Sequence, residues 1–433
     1  CANQMRPPGA GREPVPRDVR QRSGMRVRVA TEQCLEALQI LVRSSTNAGP
    51  DDIPRLMNDA GSVLGARRVR LYLVDYDQIV LVPLSAVGEA DASMINIDGT
   101  LPGRVYQLST EQVVEDGDDR VIWMPLVNGT ERLGVVQFVF PREIVSEDVT
   151  PACDDMTRIA AQLITTRTDY GDRIEQTRRR TRLSVAAEMQ WRQLPPLTFI
   201  SGRVTISGAL LPTEDIAGDA FDYAMNGEIA HVAVFDAMGH ELEATLLSGV
   251  AVATLRNARR RGLGLTEIVR TIDAQLGRQF GDEMFVTGIV GELDISNGYW
   301  SWVTCGHPPA LVVRQGRVVK TLDQSSGVPM GIGMLPPDLE VGKEQLEPGD
   351  KVLLYTDGVV EARDEAGEFF GIDRLVDLVG KGAVSERPAP EMLRQLNMAL
   401  LEHQDGRLED DATTVMLEWS GAEPPGPPGT RSQ

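Results

Sequence analysis

Four short acidic segments recur in the C-terminal half of the sequence, each where an apolar stretch ends. The first is DIAGDAFD, with Asp215, Asp219 and Asp222. The second is VAVFDAMGHE, an apolar run that meets Asp236 and then Gly239 and His240. The third, KVLLYTDGVVEARD, runs into Asp357-Gly358, and in the fourth, EDDATTVMLEW, Asp410-Asp411 precede a run from Thr413. An acid at the end of an apolar strand projects from a rigid support into a cleft. Several such acids converging would repel one another strongly unless a cation sat among them. Hard carboxylate oxygens select Mg²⁺, Mn²⁺ or Ca²⁺ over zinc. Two such ions can acidify a shared water and clamp the oxygens of a phosphoryl group during in-line displacement, with no covalent intermediate. Singly, each segment is weak, because Asp-Gly after a strand most often only turns the chain. The weight lies in four acids in order, each at an apolar edge.

The elements that must position these acids are strands separated by acidic turns, from Val204 onward. LEATLLSGVAVATLRNARR (Leu242–Arg260) reads as a helix, and Glu241 in its first turn suits the helix dipole. Asp222 and Asp411 are second-tier acids, for which an outer-shell or water-mediated ligand role and a plain surface role are both open, and Asp215 is read as structural. A histidine would be an attractive general acid for a leaving serine oxygen. His240 and His307, however, both sit in Gly-His turns, where a structural hydrogen bond is the preferred reading. Gly218, Gly239, Gly306 and Gly358 are read as permitting tight turns and close backbone approach.

The N-terminal half has a different pattern. Residues 1–28 set seven arginines against Glu13 and Asp18 among Pro and Gly, which predicts a solvated tail. Cys34, Leu35, Leu38, Leu41 and Val42 recur at helical spacing, and Asp51 and Asp52 could cap a second helix through Met57 and Val63. Strands follow at 68–76 and 78–88, then a hairpin over 120–141 with Asn128-Gly129 as its turn, and a helix from about Thr150. This order predicts an α+β domain over 31–165. One long connector helix is expected over 156–191, within a connector of 156–196 that ends at Pro195-Pro196; its loose heptads allow a coiled coil and, with the N-terminal domain, a homodimer. The second domain is expected over 197–420, and a Pro/Gly-rich tail over 421–433.

Composition removes several function classes. The 433 residues carry a formal net charge of −20, which disfavours nucleic acid and anionic membrane surfaces as partners. Four scattered cysteines hold no C-x-x-C pair, so neither a disulfide framework nor a zinc site is expected, and the cytoplasm is the default location. No apolar run approaches the roughly 20 residues of a membrane span. The sequence begins with Cys1, which is consistent with a fragment; a lipoprotein also begins so, but nothing else supports export.

Two family resemblances stand on these motifs. The order AGDAFD, FDAMGHE, TCGHPPALVV, LLYTDGVVEARD and DDATTV resembles the SpoIIE/RsbU branch of the PPM-type protein phosphatases, over about residues 185–420. The lead-in AAEMQWRQLPP resembles the region before the catalytic domain in that branch. The resemblance implies an α-β-β-α sandwich holding two Mn²⁺ or Mg²⁺ ions. By position, Asp236 would bridge the ions with the Ala237 carbonyl beside it, and Asp219, Asp357 and Asp410 would complete the set. It implies hydrolysis of phosphoserine or phosphothreonine, typically on a STAS-type anti-sigma-factor antagonist. The usual G-G-D and G-H-G are here Ala217-Gly218-Asp219 and Gly239-His240-Glu241, which leaves an inactive signalling scaffold as an alternative. A small-molecule phosphatase is another, although no basic P-loop-like motif is present. Residues 31–165 resemble a GAF sensor domain, on GTLPGRVYQ and WMPLVNGTERLGVVQF, which implies regulation. No histidine and no lysine lies in that domain, which excludes a histidine-ligated haem and the Lys-containing motif of the cyclic-nucleotide-binding members.

Overall fold

The computed structural model describes residues 29–88, 92–180, 183–211, 218–239, 241–323, 327–384, 387–405 and 410–421. The tail expected at 1–28, that at 421–433 beyond Gly421, and Asp215, Ala217 and His240 lie outside them.

The N-terminal unit opens with helices α1 (Thr31–Ser45) and α2 (Ile53–Val63) and strands β1 (Arg68–Val74), β2 (Val80–Leu84) and β3 (Ile95–Asn96). Helix α3 (Leu101–Leu108), strands β4 (Gln112–Asp116), β5 (Asp119–Asn128) and β6 (Glu131–Pro141), and helix α4 (Ser146–Arg167) complete it. The six strands form one antiparallel sheet in the order β3-β2-β1-β6-β5-β4. Alternation along β1 explains its two cores. Val69, Leu71 and Leu73 face α1, α2 and α4, while Tyr72 and Val74 face α3.

The connector departs from expectation. The single helix expected over 156–191 is broken: α4 ends at Arg167, a 3₁₀ turn spans Thr168–Tyr170, and two short helices follow, α5 (Arg173–Arg178) and α6 (Val185–Gln193). Gly171 is extended, with φ 178° and ψ 164°. The arginines then find partners on the sheet that a free helix would not offer. Arg178 Nε donates to the Val74 carbonyl at 3.1 Å, the Tyr76 N–H donates to the Arg178 carbonyl at 3.2 Å, and the guanidinium lies 4.6 Å over the Tyr76 ring. A coiled coil needs a continuous seam, and this connector has none.

The C-terminal unit holds β7 (Thr198–Ile200), β8 (Val204–Leu211), β9 (Ala220–Asn226), β10 (Ile229–Ala237), α7 (Glu241–Arg260), α8 (Leu265–Phe280), β11 (Val286–Asp294) and β12 (Tyr299–Cys305). It continues with β13 (Ala310–Arg314), β14 (Arg317–Leu322), β15 (Gly342–Gln345), β16 (Lys351–Tyr355), α9 (Asp357–Val360), α10 (Gly371–Val384), α11 (Ala389–His403) and β17 (Ala412–Trp419). Two antiparallel sheets result, ordered β15-β12-β11-β10-β9 and β14-β13-β16-β17-β8-β7. Period-2 alternation builds four layers. Val232 and Val234 of β10 meet Val352, Leu354, Val415 and Leu417 between the sheets. Ala233 and Phe235 face α7 and α8, and Leu353, Tyr355 and Met416 face α10 and α11. This α-β-β-α arrangement matches the fold expected for 197–420, but α6 packs on α7, so the compact unit begins before residue 197. Among the described residues no helix is long and apolar enough to cross a membrane.

Candidate metal centre

At one end of the sandwich the inward-facing positions change from apolar to polar. On β10 the series Val232, Val234 ends in Asp236; on β16, Val352 and Leu354 lead to Thr356; on β17, Leu417 and Val415 lead to Thr413. Thr287 of β11, which pairs with Asp236, and Thr304 of β12 continue the same belt. A hydroxyl-lined floor thus lies beneath the four strand-end acids.

Register brings the acids together. Ala220 pairs with Phe235, which sets Asp219 across from Asp236. Tyr355 pairs with Thr414, which sets Thr356-Asp357 beside Asp411-Ala412-Thr413. Thr356 Oγ1 donates to Asp219 Oδ2 at 2.7 Å and accepts from the Thr413 N–H at 3.0 Å. Thr356 therefore ties three acid-bearing segments at one atom. Gly218 must be glycine, because a Cβ there would lie 2.7 Å from the Ala237 carbonyl oxygen. The same holds at Gly358, whose Cβ would lie 2.0 Å from the Asp411 carbonyl oxygen.

The electrostatics follow from crowding in a partly dry site. Burial pushes the Asp236 carboxyl up to about 7, helped by the charges of Asp357 and Asp410. Hydrogen bonding with the Asp357 side chain adds to the rise at Asp236. Burial, then the charges of Asp236 and Asp411, holds Asp219 well above the usual range, and burial also raises Asp410. Glu361, one helical turn beyond Asp357, adds its charge to Asp410. As they stand, no three of the described His, Cys, Asp and Glu side chains converge to ligating distance. The fit to a metal rests instead on donor chemistry: hard oxygens whose mutual repulsion a divalent cation would relieve.

The second-tier residues divide. Asp411 is 2% exposed, and its Oδ2 accepts from the Gly218 N–H (2.9 Å), the Asp219 N–H (3.4 Å) and Gln190 Nε2 (2.9 Å). It clamps the turn that carries Asp219. Asp222 points away: its oxygens pair with Arg256 and Arg259 of α7, so the outer-shell role expected of it is corrected to a buried ion pair. His307 is buried, its Nδ1 lies 2.9 Å from Thr287 Oγ1, and burial pushes its pKa down to about 3. It is neutral at physiological pH, which agrees with a structural use. Sequence reading missed Thr356, Gln190 and Glu361. The i, i+4 spacing of Asp357 and Glu361 was a usable signal; Gln190, from α6, had none.

Comparison with known proteins adds the family. A model described as Stage II sporulation protein E (SpoIIE) matches residues 226–420, a stretch that holds Asp236, Asp357 and Asp410. Phosphoserine phosphatase RsbU of Bacillus subtilis is 23% identical over 238 residues, covering 55% of this chain and 70% of that protein. Protein IcfG of Synechocystis is 30% identical over 150 residues, covering 34% of this chain and 23% of that protein. A structure of the RsbU and RsbW domains of Rv1364c from Mycobacterium tuberculosis is 27% identical with a TM-score of 0.46, covering 51% of this chain and 63% of that one. Residues 226–420 are thus similar to the SpoIIE family, and the phosphoserine phosphatase among the relatives supports a protein phosphatase.

Proposed function

We propose that the C-terminal unit hydrolyses phosphoserine or phosphothreonine in a protein substrate, using two Mn²⁺ or Mg²⁺ ions held by Asp219, Asp236, the Ala237 carbonyl, Asp357 and Asp410. The observation that carries this reading is the strand register, which sets Asp219, Asp236, Asp357 and Asp410 at one end of the sandwich, where burial and neighbouring charge hold three of them above the ordinary carboxyl range. When bound, the ions supply an acidified water and neutralise charge on the phosphoryl oxygens. The chain's own residues do the rest. Thr356 orients the Asp219 carboxylate, and Asp411 fixes the turn before it. Backbone contact between Gly218 and Ala237 locks the two strand ends in register. His307, neutral and turned to Thr287, does not supply the proton for the departing serine oxygen.

The finer reading concerns substrate and control. Relatives named phosphoserine phosphatase RsbU and RsbP support a phosphoprotein substrate, which we infer to be a STAS-type anti-sigma-factor antagonist. The N-terminal unit is read as a GAF-like sensor that regulates turnover. The test is phosphate release from a phosphoserine protein with Mn²⁺, Mg²⁺ or chelator, for wild type and Asp236→Asn. Metal-dependent release that falls at least a hundredfold in the variant is the expected result. No release with either metal would move the reading to a signalling scaffold.

A further inference from the structure

Helix α11 carries two buried faces. Met392, Leu393, Leu396 and Leu400 close the core over the six-stranded sheet. Glu391, Arg394 and Asn397, spaced by three along the helix, form the other, and none is more than 5% exposed. Charged residues are rarely buried without a partner surface. Here that surface is the N-terminal unit.

Arg394 is the centre of the joint. Its Nε and Nη2 donate to Glu391, each at 2.9 Å. Its terminal nitrogens also cross to Asp98, at 3.2 and 2.5 Å, and Nη1 donates to the Gln78 carbonyl at 3.3 Å. From the other side Arg132 approaches Glu391 at 3.6 Å, its guanidinium 4.6 Å over the Tyr106 ring. The partners on the N-terminal side are not arbitrary. Asp98 leads into α3 and accepts from Gln107 of that helix at 2.8 Å. Gln78 accepts the Tyr106 hydroxyl at 3.1 Å, and Tyr106 and Val105 of α3 cover the second core of the N-terminal sheet. Arg394 thus holds the two segments that close α3 over that core.

We infer that Glu391 and Arg394 form a separable docking surface by which the phosphatase unit grips the α3 cover, so that displacement of α3 releases the two halves. This rests on the reading of the N-terminal unit as regulatory. The chemistry suits a joint that opens. Buried ion pairs specify geometry more than they stabilise, and polar interfaces of this kind permit relative domain motion. On release Arg394 keeps Glu391, so neither charge is left alone. Asn397 Oδ1 is buried with no hydrogen-bond partner, so the joint is not fully optimised. Asp98 is itself 60% exposed along its side chain and returns to water readily.

The test uses the full chain with Asp98→Ala and Asp98→Arg, substitutions at a position outside both cores. The readouts are tryptic cleavage of the 171–184 connector and the radius of gyration from X-ray scattering. Loss of a charge-assisted bond predicts connector cleavage on the order of tenfold faster in Asp98→Ala, and faster still with like charges opposed in Asp98→Arg, with an expanded particle. Wild-type cleavage and scattering in Asp98→Arg would overturn the inference. Neither readout needs turnover, so a chain that hydrolyses nothing would sink the proposed function and leave this joint standing.

Discussion

At the scale of single residues, the raised acids make metal binding a proton-coupled event. Asp236, pushed up to about 7, must lose its proton to accept a cation. Mn²⁺ affinity measured by calorimetry should therefore fall below pH 7, by about tenfold per unit for each proton displaced. The sign for stability is the reverse of the usual carboxylate. The folded chain holds protons on Asp219, Asp236 and Asp410 that the unfolded chain has already lost. Their stabilising contribution is full below about pH 4 and is lost as pH rises towards 7. Melting in chelator should show these acids favouring pH 5 over pH 8, with Mn²⁺ restoring stability at pH 8. Thr356 is testable separately. Thr356→Val should weaken Mn²⁺ binding roughly 10–100-fold, as loss of an orienting partner does, and Thr356→Ser should recover most of it. Equal affinities in all three would leave the hydroxyl without a role.

At the scale of elements, two contacts decide whether the strand ends meet. Gly358 opens α9 against the Asp411 backbone, and a carbonyl oxygen cannot swing aside as a side chain would. Gly358→Ala should cost about 1–3 kcal/mol in chemical denaturation, as overpacking does, and lower metal affinity by displacing Asp410-Asp411. Asp222 makes the contrasting case. It anchors β9 to α7 through Arg256 and Arg259, away from the acids. Asp222→Ala should destabilise by about 2 kcal/mol, below the usual cost of breaking a buried pair because Arg256 keeps contact with water. Its Mn²⁺ affinity should stay within a few-fold of wild type; a loss matching that of Asp236→Asn would return Asp222 to the metal centre.

At the scale of the whole molecule, the catalytic unit and its connector are not separable at residue 197. Gln190 of α6 donates to the Asp219 carbonyl at 2.8 Å and to Asp411 at 2.9 Å, so the connector supports the turn that carries Asp219, a candidate metal ligand. A fragment of residues 183–421 should bind Mn²⁺ like the full chain. A fragment of 197–421 should bind roughly 10–100-fold more weakly, for want of Gln190. Matching affinities would show that α6 is dispensable. The ring contact of Trp191 with Tyr76, 4.5 Å between centroids, places the neighbouring residue of α6 against the N-terminal unit.

Local pattern was enough to determine much of this protein. Period-2 runs specify the strands because a one-residue slip would turn every inward side chain outward. The Asn128-Gly129 signal falls at the β5–β6 hairpin, although Asn128 ends β5 and the turn itself is Gly129-Thr130; Asp219, Asp236, Asp357 and Asp410 are legible as candidates because each stands at the edge of an apolar run. What the sequence could not determine depends on partners distant along the chain. The connector's arginines read as one helix, because their spacing says nothing of the Val74 carbonyl and Tyr76 ring that turn them aside. Asp222 and Asp411 look alike as acids beside acids. Tertiary packing gives one two arginines on α7 and the other three N–H donors, two of them in the turn that carries Asp219. Nothing in the sequence marked Arg394 and Glu391, which the fold buries against the N-terminal unit. Side-chain type and spacing determine what a residue can do; which of those things it does is decided by what the fold brings within hydrogen-bonding distance.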